Sequence, residues 1–147
     1  MSMRTTRLAA SAGGAATGLA LTLLAAAPAS AYADQTVYSE RSAKGGYGTA
    51  NAYLTGEYFW LRVCDKGTAD GYRAVGRLSK DGTSWSVTRH AAGGSGSCVG
   101  GSEDGATSGF LPQPFRGNYT LRVCLRNGAS GADFNCNATT FYYDGSA

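Results

Sequence analysis

Histidine is all but missing from this chain: His90 is the only one in 147 residues. A Ser-His-Asp triad or a Cys-His pair would have to be built on it. It sits just after an expected strand, beside Ala91-Ala92-Gly93, and no G-x-S-x-G element accompanies it, so it reads as a surface histidine. Cysteine pairs of the C-x-x-C kind are absent too, which argues against zinc. Charged residues make up only 16% of the chain. Past the N-terminus the arginines are spread along expected strands and turns. No concentrated basic patch results, and so no case for nucleic acid or a membrane surface as partner. A sustained helical period is also lacking from the leader's end onward.

What is present begins with an export leader. Arg4 and Arg7 supply the positive start, Leu8 to Ala27 an Ala/Leu/Gly stretch, and Ala29-Ser30-Ala31 and Ala31-Tyr32-Ala33 two small-x-small cleavage sites. The expected cut follows Ala33, with Ala31 as the alternative. A retained membrane anchor is the rival reading, but Ser11, Gly13, Gly14, Thr17 and Gly18 interrupt the segment. Arg4 and Arg7 are not a twin-arginine pair, so the general export route is expected. Residues 1–33 are thus read as signal peptide and 34–147 as one secreted domain. Arg4 and Arg7 leave with the leader, so 11 of the 13 basic residues remain against 10 acidic ones, a net charge of +1.

All four cysteines, Cys64, Cys98, Cys124 and Cys136, lie in the exported part, and an even count in a small secreted chain reads as two disulfides. Three pairings are open. Cys124 and Cys136 flank one hairpin; if they sit opposite each other, its turn is centred near Ser130 and Cys64 is left with Cys98.

The ordered stretches are rich in Tyr, Val, Thr and Phe, with glycine-rich connections, a β composition. The pattern predicts strands over Gln35–Arg41, Tyr47–Leu54, Tyr58–Asp65, Tyr72–Leu78, Trp85–Arg89, a short one at Cys98-Val99, and the hairpin from Gly117 to Tyr143. Tyr58–Asp65 and Tyr72–Leu78 read as a hairpin, two strands joined by a polar turn. Phe59, Leu61 and Val63 are assigned to the core, with Trp60, Arg62 and Cys64 facing away. Gly48, Ala50, Ala52 and Leu54 form a small-residue face that admits close approach of another layer. Tyr119 is expected opposite Phe141 and Leu121 opposite Thr139, with the cysteine on the arginine face and its disulfide outside the core. Gly100 to Gly109 is expected to be the least ordered part. Pro112 and Pro114 mark a crossing between sheets, with Phe110, Leu111 and Phe115 capping the core. The fold class is all-β: a small, disulfide-stapled antiparallel β-sandwich, immunoglobulin-like or related, of seven or eight strands.

Candidate chemistry is sparse. Asp65, Asp70, Asp81, Glu103 and Asp104 are the carboxylates a glycosidase would draw on, but all fall in turns or the glycine-rich loop, and a catalytic acid needs a shielded site. Asp65 to Gly71 invites a calcium reading. Lys66 and Ala69 spoil the alternation of oxygen ligands, so it reads as a turn whose aspartates bond their own backbone and whose glycines take positive φ. No metal or cofactor is implied. Tyr47, Tyr53, Tyr58, Trp60, Tyr72 and Trp85 form an aromatic set that either fills a thin sandwich or, where rings share an outer face, stacks on a ligand. Trp60, Tyr72 and Trp85 are the candidate ligand-binding rings.

The core motif Gly56-Glu57-x-Phe59 … Val63-Cys64-Asp65-x-x-x-Ala69-Asp70-Gly71, the later Leu121-Arg122-Val123-Cys124 … Cys136 and the intervening Ser97-Cys98 resemble small secreted actinobacterial proteins of uncharacterised function. The resemblance covers most of the exported chain and is one of scaffold. It implies the pairing Cys64–Cys98 and Cys124–Cys136, and no activity. The stretch around Gly93 to Gly109 departs from the common pattern. The expectation is a secreted, non-catalytic binding module for an extracellular polysaccharide or a secreted protein. The alternative is an inhibitor of secreted hydrolases presenting Gly93 to Phe115, and a small carboxylate-dependent hydrolase is a distant third.

Overall fold

The computed structural model describes residues 32–101, 108–112 and 115–145. The expected leader up to residue 31, and Glu103, Asp104 and Pro114, lie outside the described residues. Nine strands form among the described residues: β1 Tyr32–Tyr38, β2 Tyr47–Thr55, β3 Tyr58–Lys66, β4 Tyr72–Lys80, β5 Ser86–Ala91, β6 Cys98–Val99, β7 Ser108–Phe110, β8 Gly117–Asn127 and β9 Asp133–Tyr143. One sheet runs β1-β2-β3, with β6 and β7 both on the far edge of β3; the other runs β5-β4-β8-β9. Every pairing is antiparallel. The two sheets pack as an all-β sandwich, and the second has the strand order of the C′CFG sheet of an immunoglobulin-type domain. Such a domain ties its sheets together with a disulfide. Here Cys64–Cys98 joins β3 to β6 and Cys124–Cys136 joins β8 to β9, each bond within one sheet.

Small inner residues set how closely the sheets approach. β2 alternates buried and half-buried residues along its whole length, with Gly48, Ala50, Ala52 and Leu54 inside. A methyl on Gly48 would lie 2.8 Å from the Ala74 Cβ and 3.0 Å from Val123 Cγ2 on the opposite sheet. One on Gly76 of β4 would overlap Val63 Cγ2 of β3. Leu54, Leu61, Leu78, Leu121, Tyr119 and Tyr143 fill the remaining interior, all at most 1% exposed. The Tyr119 hydroxyl donates to the Phe115 carbonyl at 2.7 Å, and burial pushes its pKa up to about 12.

Several expectations need correcting. β3 and β4 do not pair with each other: the Gly67–Gly71 connection carries the chain from one sheet to the other. Both strands have an apolar run on the inner face, Leu61 and Val63 on one and Ala74, Gly76 and Leu78 on the other. Set in opposing sheets, these faces bury each other. β1 starts at Tyr32, not Gln35, and stops at Tyr38, because Glu40 N–H turns away to donate to the Asn135 carbonyl of β9 at 3.0 Å. Ala33 pairs with Leu54 and joins the core, so a cut after Ala31 leaves β1 whole and one after Ala33 shortens it. β7 was not anticipated. Gly109 lies over the Phe59 ring, which turns Phe110 outward, 68% exposed, while Leu111 and Phe115 do pack on the core. In the β8–β9 hairpin, Tyr119 faces Phe141 and Leu121 faces Thr139 as expected. Nearer the turn the register slips at a bulge between Val123 and Leu125, with Asn135 at φ 50°.

Candidate functional site

The outer face of the first sheet collects aromatic rings. β2 turns Tyr47, Thr49, Asn51 and Tyr53 outward, because its even-numbered residues are committed to the interior. The register then sets Tyr53 opposite Trp60, and Tyr58 opposite Phe110. Tyr53 and Trp60 are nearly parallel, with centroids 5.7 Å apart and planes 16° apart. Tyr58 and Phe110 lie 5.3 Å apart, and Tyr58 is 50% exposed. Beside these rings runs a polar strip: the Asn51 amide donates to Asp34 Oδ1 at 3.0 Å and Thr36 Oγ1 at 2.6 Å. Beyond it, Tyr47 lies 6.4 Å from Tyr38, with the Arg41 guanidinium 4.4 Å over its ring. Half-exposed rings bordered by fixed hydroxyl, amide and carboxylate groups suit a ligand with both C–H faces and hydroxyls.

The candidate rings Trp60, Tyr72 and Trp85 occupy three separate places. Trp85 sits edge-on to Phe59 at 5.2 Å and to Tyr119 at 6.1 Å, packed against the core. Tyr72 stands edge-on to Phe134 at 4.9 Å in the second sheet. Trp60 alone of the three joins the outer aromatic face. Phe110 also belongs to that face. The Ser108-Gly109-Phe110 alternation was its only sequence signal.

A second feature is a cleft of about 370 Å³ bordered by Asp65, Asp70, Tyr72, Arg73 and the Gly93-Gly94 loop. Asp65 and Asp70 were expected in open turns, yet they are only 2% and 6% exposed. Burial, then the nearby Asp70 charge, raises the Asp65 pKa above the ordinary carboxylate value, and the Lys66 N–H bond opposes the rise. Asp70 Oδ1 accepts from Tyr72 N–H at 2.9 Å, and Gly67 and Gly71 take φ of 80° and 83°, the turn geometry expected from the sequence. Asp70 Oδ2 is buried with no hydrogen-bond partner among the described residues. Asp81 lies at the other end of β4 and accepts from Thr120 Oγ1 at 2.9 Å.

His90 lies on the second sheet opposite Val75. Burial first, then the charges of Arg126 and Arg73, lowers its pKa against the pull of Asp133. All four cysteines are in disulfides, in the pairing the scaffold resemblance implies. Neither a protein-family model, nor a curated protein, nor a solved structure matches this chain.

Proposed function

We propose that this chain is an exported, non-catalytic module that binds an extracellular polysaccharide through the outer face of its first sheet. The observation that carries the reading is the ring group Tyr53–Trp60 with Tyr58–Phe110 on one sheet face, beside the Asn51 strip. Stacking against C–H faces of sugar rings uses such a surface, and the polar strip supplies direction. The leader pattern and two disulfides support export to an oxidising compartment, with the cut after Ala31 that keeps β1 whole. The motifs shared with small secreted actinobacterial proteins support the same reading.

The test is depletion binding of the exported form to insoluble cellulose, chitin and xylan. Binding to at least one is expected. Trp60→Ala should weaken it on the order of tenfold or more, the loss typical of a central aromatic anchor, without lowering Tm. Trp85→Ala should instead lower Tm, because that ring packs on Phe59 and Tyr119. Absence of binding, or equal binding by Trp60→Ala, sinks the reading. Capture of a secreted hydrolase with loss of its activity would replace it with inhibition.

A further inference from the structure

The outer face of the second sheet gathers arginines. Arg73 and Arg77 of β4 lie opposite Arg126 and Arg122 of β8. Like charges directly across a ladder are destabilising, and this ladder contains two such pairs. They are four positions apart, about 13 Å along the strands. Between them a hollow of about 80 Å³ is bordered by Arg77, Arg122, Arg126 and Asp133, over Val75 and Cys124.

Two of the guanidinium groups, those of Arg77 and Arg122, bond neutral acceptors within the fold. Arg77 donates to Ser86 Oγ at 3.0 Å. Arg122 donates to Cys136 Sγ at 3.0 Å, a weak acceptor. Arg126 pairs with Asp133, Nε to Oδ1 at 2.7 Å, and donates to the Ala129 carbonyl at 3.4 Å; Asp133 is the one carboxylate among the described residues that borders the hollow. Arg73 borders the acid cleft as well. The lowered pKa of His90, driven in part by Arg73 and Arg126, reports the same positive field. The exported chain is close to neutral, yet this sheet face sets four guanidinium groups against the Asp133 carboxylate at the hollow.

We propose that this face binds an anionic polysaccharide, whose carboxylate, sulfate or phosphate groups sit between the opposed arginines. The guanidinium fork matches the two oxygens of such groups. Two arginine pairs about 13 Å apart suit a chain whose anions recur sparsely. Duplex DNA presents a charge about every 1.7 Å. Membrane insertion would need exposed apolar side chains among the arginines, and Val75, the apolar residue between them, is only 4% exposed. The choice of a glycan rests on the export proposed above; oxyanion binding by the face does not.

The exported form is to be passed over immobilised heparin and polygalacturonate, with unmodified agarose as the neutral control. Duplex DNA and vesicles containing anionic phospholipid are the competing arms. Retention on at least one anionic glycan, released by salt, is expected. Arg77→Gln/Arg122→Gln should bind at least tenfold more weakly, with Tm unchanged or raised at low ionic strength because an opposed like-charge pair is gone. Arg122→Gln alone serves if the double variant does not fold. Trp60→Ala should be retained like the wild type, which separates this face from the aromatic one. No retention at low salt, undiminished retention of the arginine variants, or tighter binding to DNA or vesicles would overturn the proposal.

Discussion

Leu61-Arg62-Val63-Cys64 and Leu121-Arg122-Val123-Cys124 are the same four residues set in opposite sheets. In both, Leu and Val are 0% exposed and face the interior, while Arg and Cys lie on the outer side of the sheet, the cysteines covered there at 6% and 2% exposed. Each valine even rests on a glycine of the opposing sheet, Val63 on Gly76 and Val123 on Gly48. The surroundings differ. Arg62 stands across from Asn51, two residues past Trp60 on the aromatic face, whereas Arg122 stands across from Arg77 on a cationic one. The cysteine of the first is bonded to a two-residue strand, that of the second to an eleven-residue one. Alternation within the tetrapeptide decides which side chains go in. Long-range pairing decides what chemistry the outward ones meet.

The largest test of this contrast is removal of each disulfide. Cys64–Cys98 spans 34 residues and Cys124–Cys136 spans 12. Chain entropy gives about 4 kcal/mol for the first and about 3 kcal/mol for the second. The gap should widen in practice, because β6 has little else to hold it on β3, whereas β9 keeps its ladder with β8. Guanidinium denaturation of Cys64→Ser/Cys98→Ser against Cys124→Ser/Cys136→Ser measures this. A greater loss from the second pair would break the comparison.

The glycine seats give a smaller effect. Gly76→Ala drives a methyl into Val63, and Gly48→Ala drives one to 2.8 Å from Ala74. Both overpack a closed interior and should cost about 1–3 kcal/mol, with Gly76→Ala the worse. Thermal denaturation ranks them. If either variant is as stable as the wild type, the sheets are not held at the distance these glycines imply.

The same contrast explains what could be read in advance. Period-two alternation exposed the core positions on β2, β3 and β8, the Tyr119–Phe141 register and the turn at Gly67–Gly71, because each is set by residues close in sequence. Sheet membership was hidden: β3 followed by a polar turn and β4 looks like a hairpin, and only the mutual burial of two apolar runs separates them. The arginine face was hidden for the same reason. Arg73 and Arg77 are remote in sequence from Arg122 and Arg126, and only the β4–β8 ladder joins them. Phe110 reads from the sequence as a cap on the core, and only the seat of Gly109 on Phe59 turns it outward.

The smallest effect is expected one residue past the shared tetrapeptide, where Asp65 takes the inward position that Leu125 takes in the other sheet. Asp65 has a folded pKa above the ordinary carboxylate value, chiefly through burial. The folded state therefore holds the proton more tightly than the unfolded one. Stability from this group is fully present below the ordinary carboxylate pKa and is lost as pH climbs through the raised value. Asp65→Asn keeps an acceptor for the Lys66 N–H and removes the titration. The variant should match the wild type at acid pH and exceed it at neutral pH, in urea melts run across that range. An Asn variant weaker at neutral pH, with a deficit that does not close on acidification, would mean that the Asp65 charge has a partner the fold depends on. The two tetrapeptides would then differ in a buried ionic contact as well as in their outer faces.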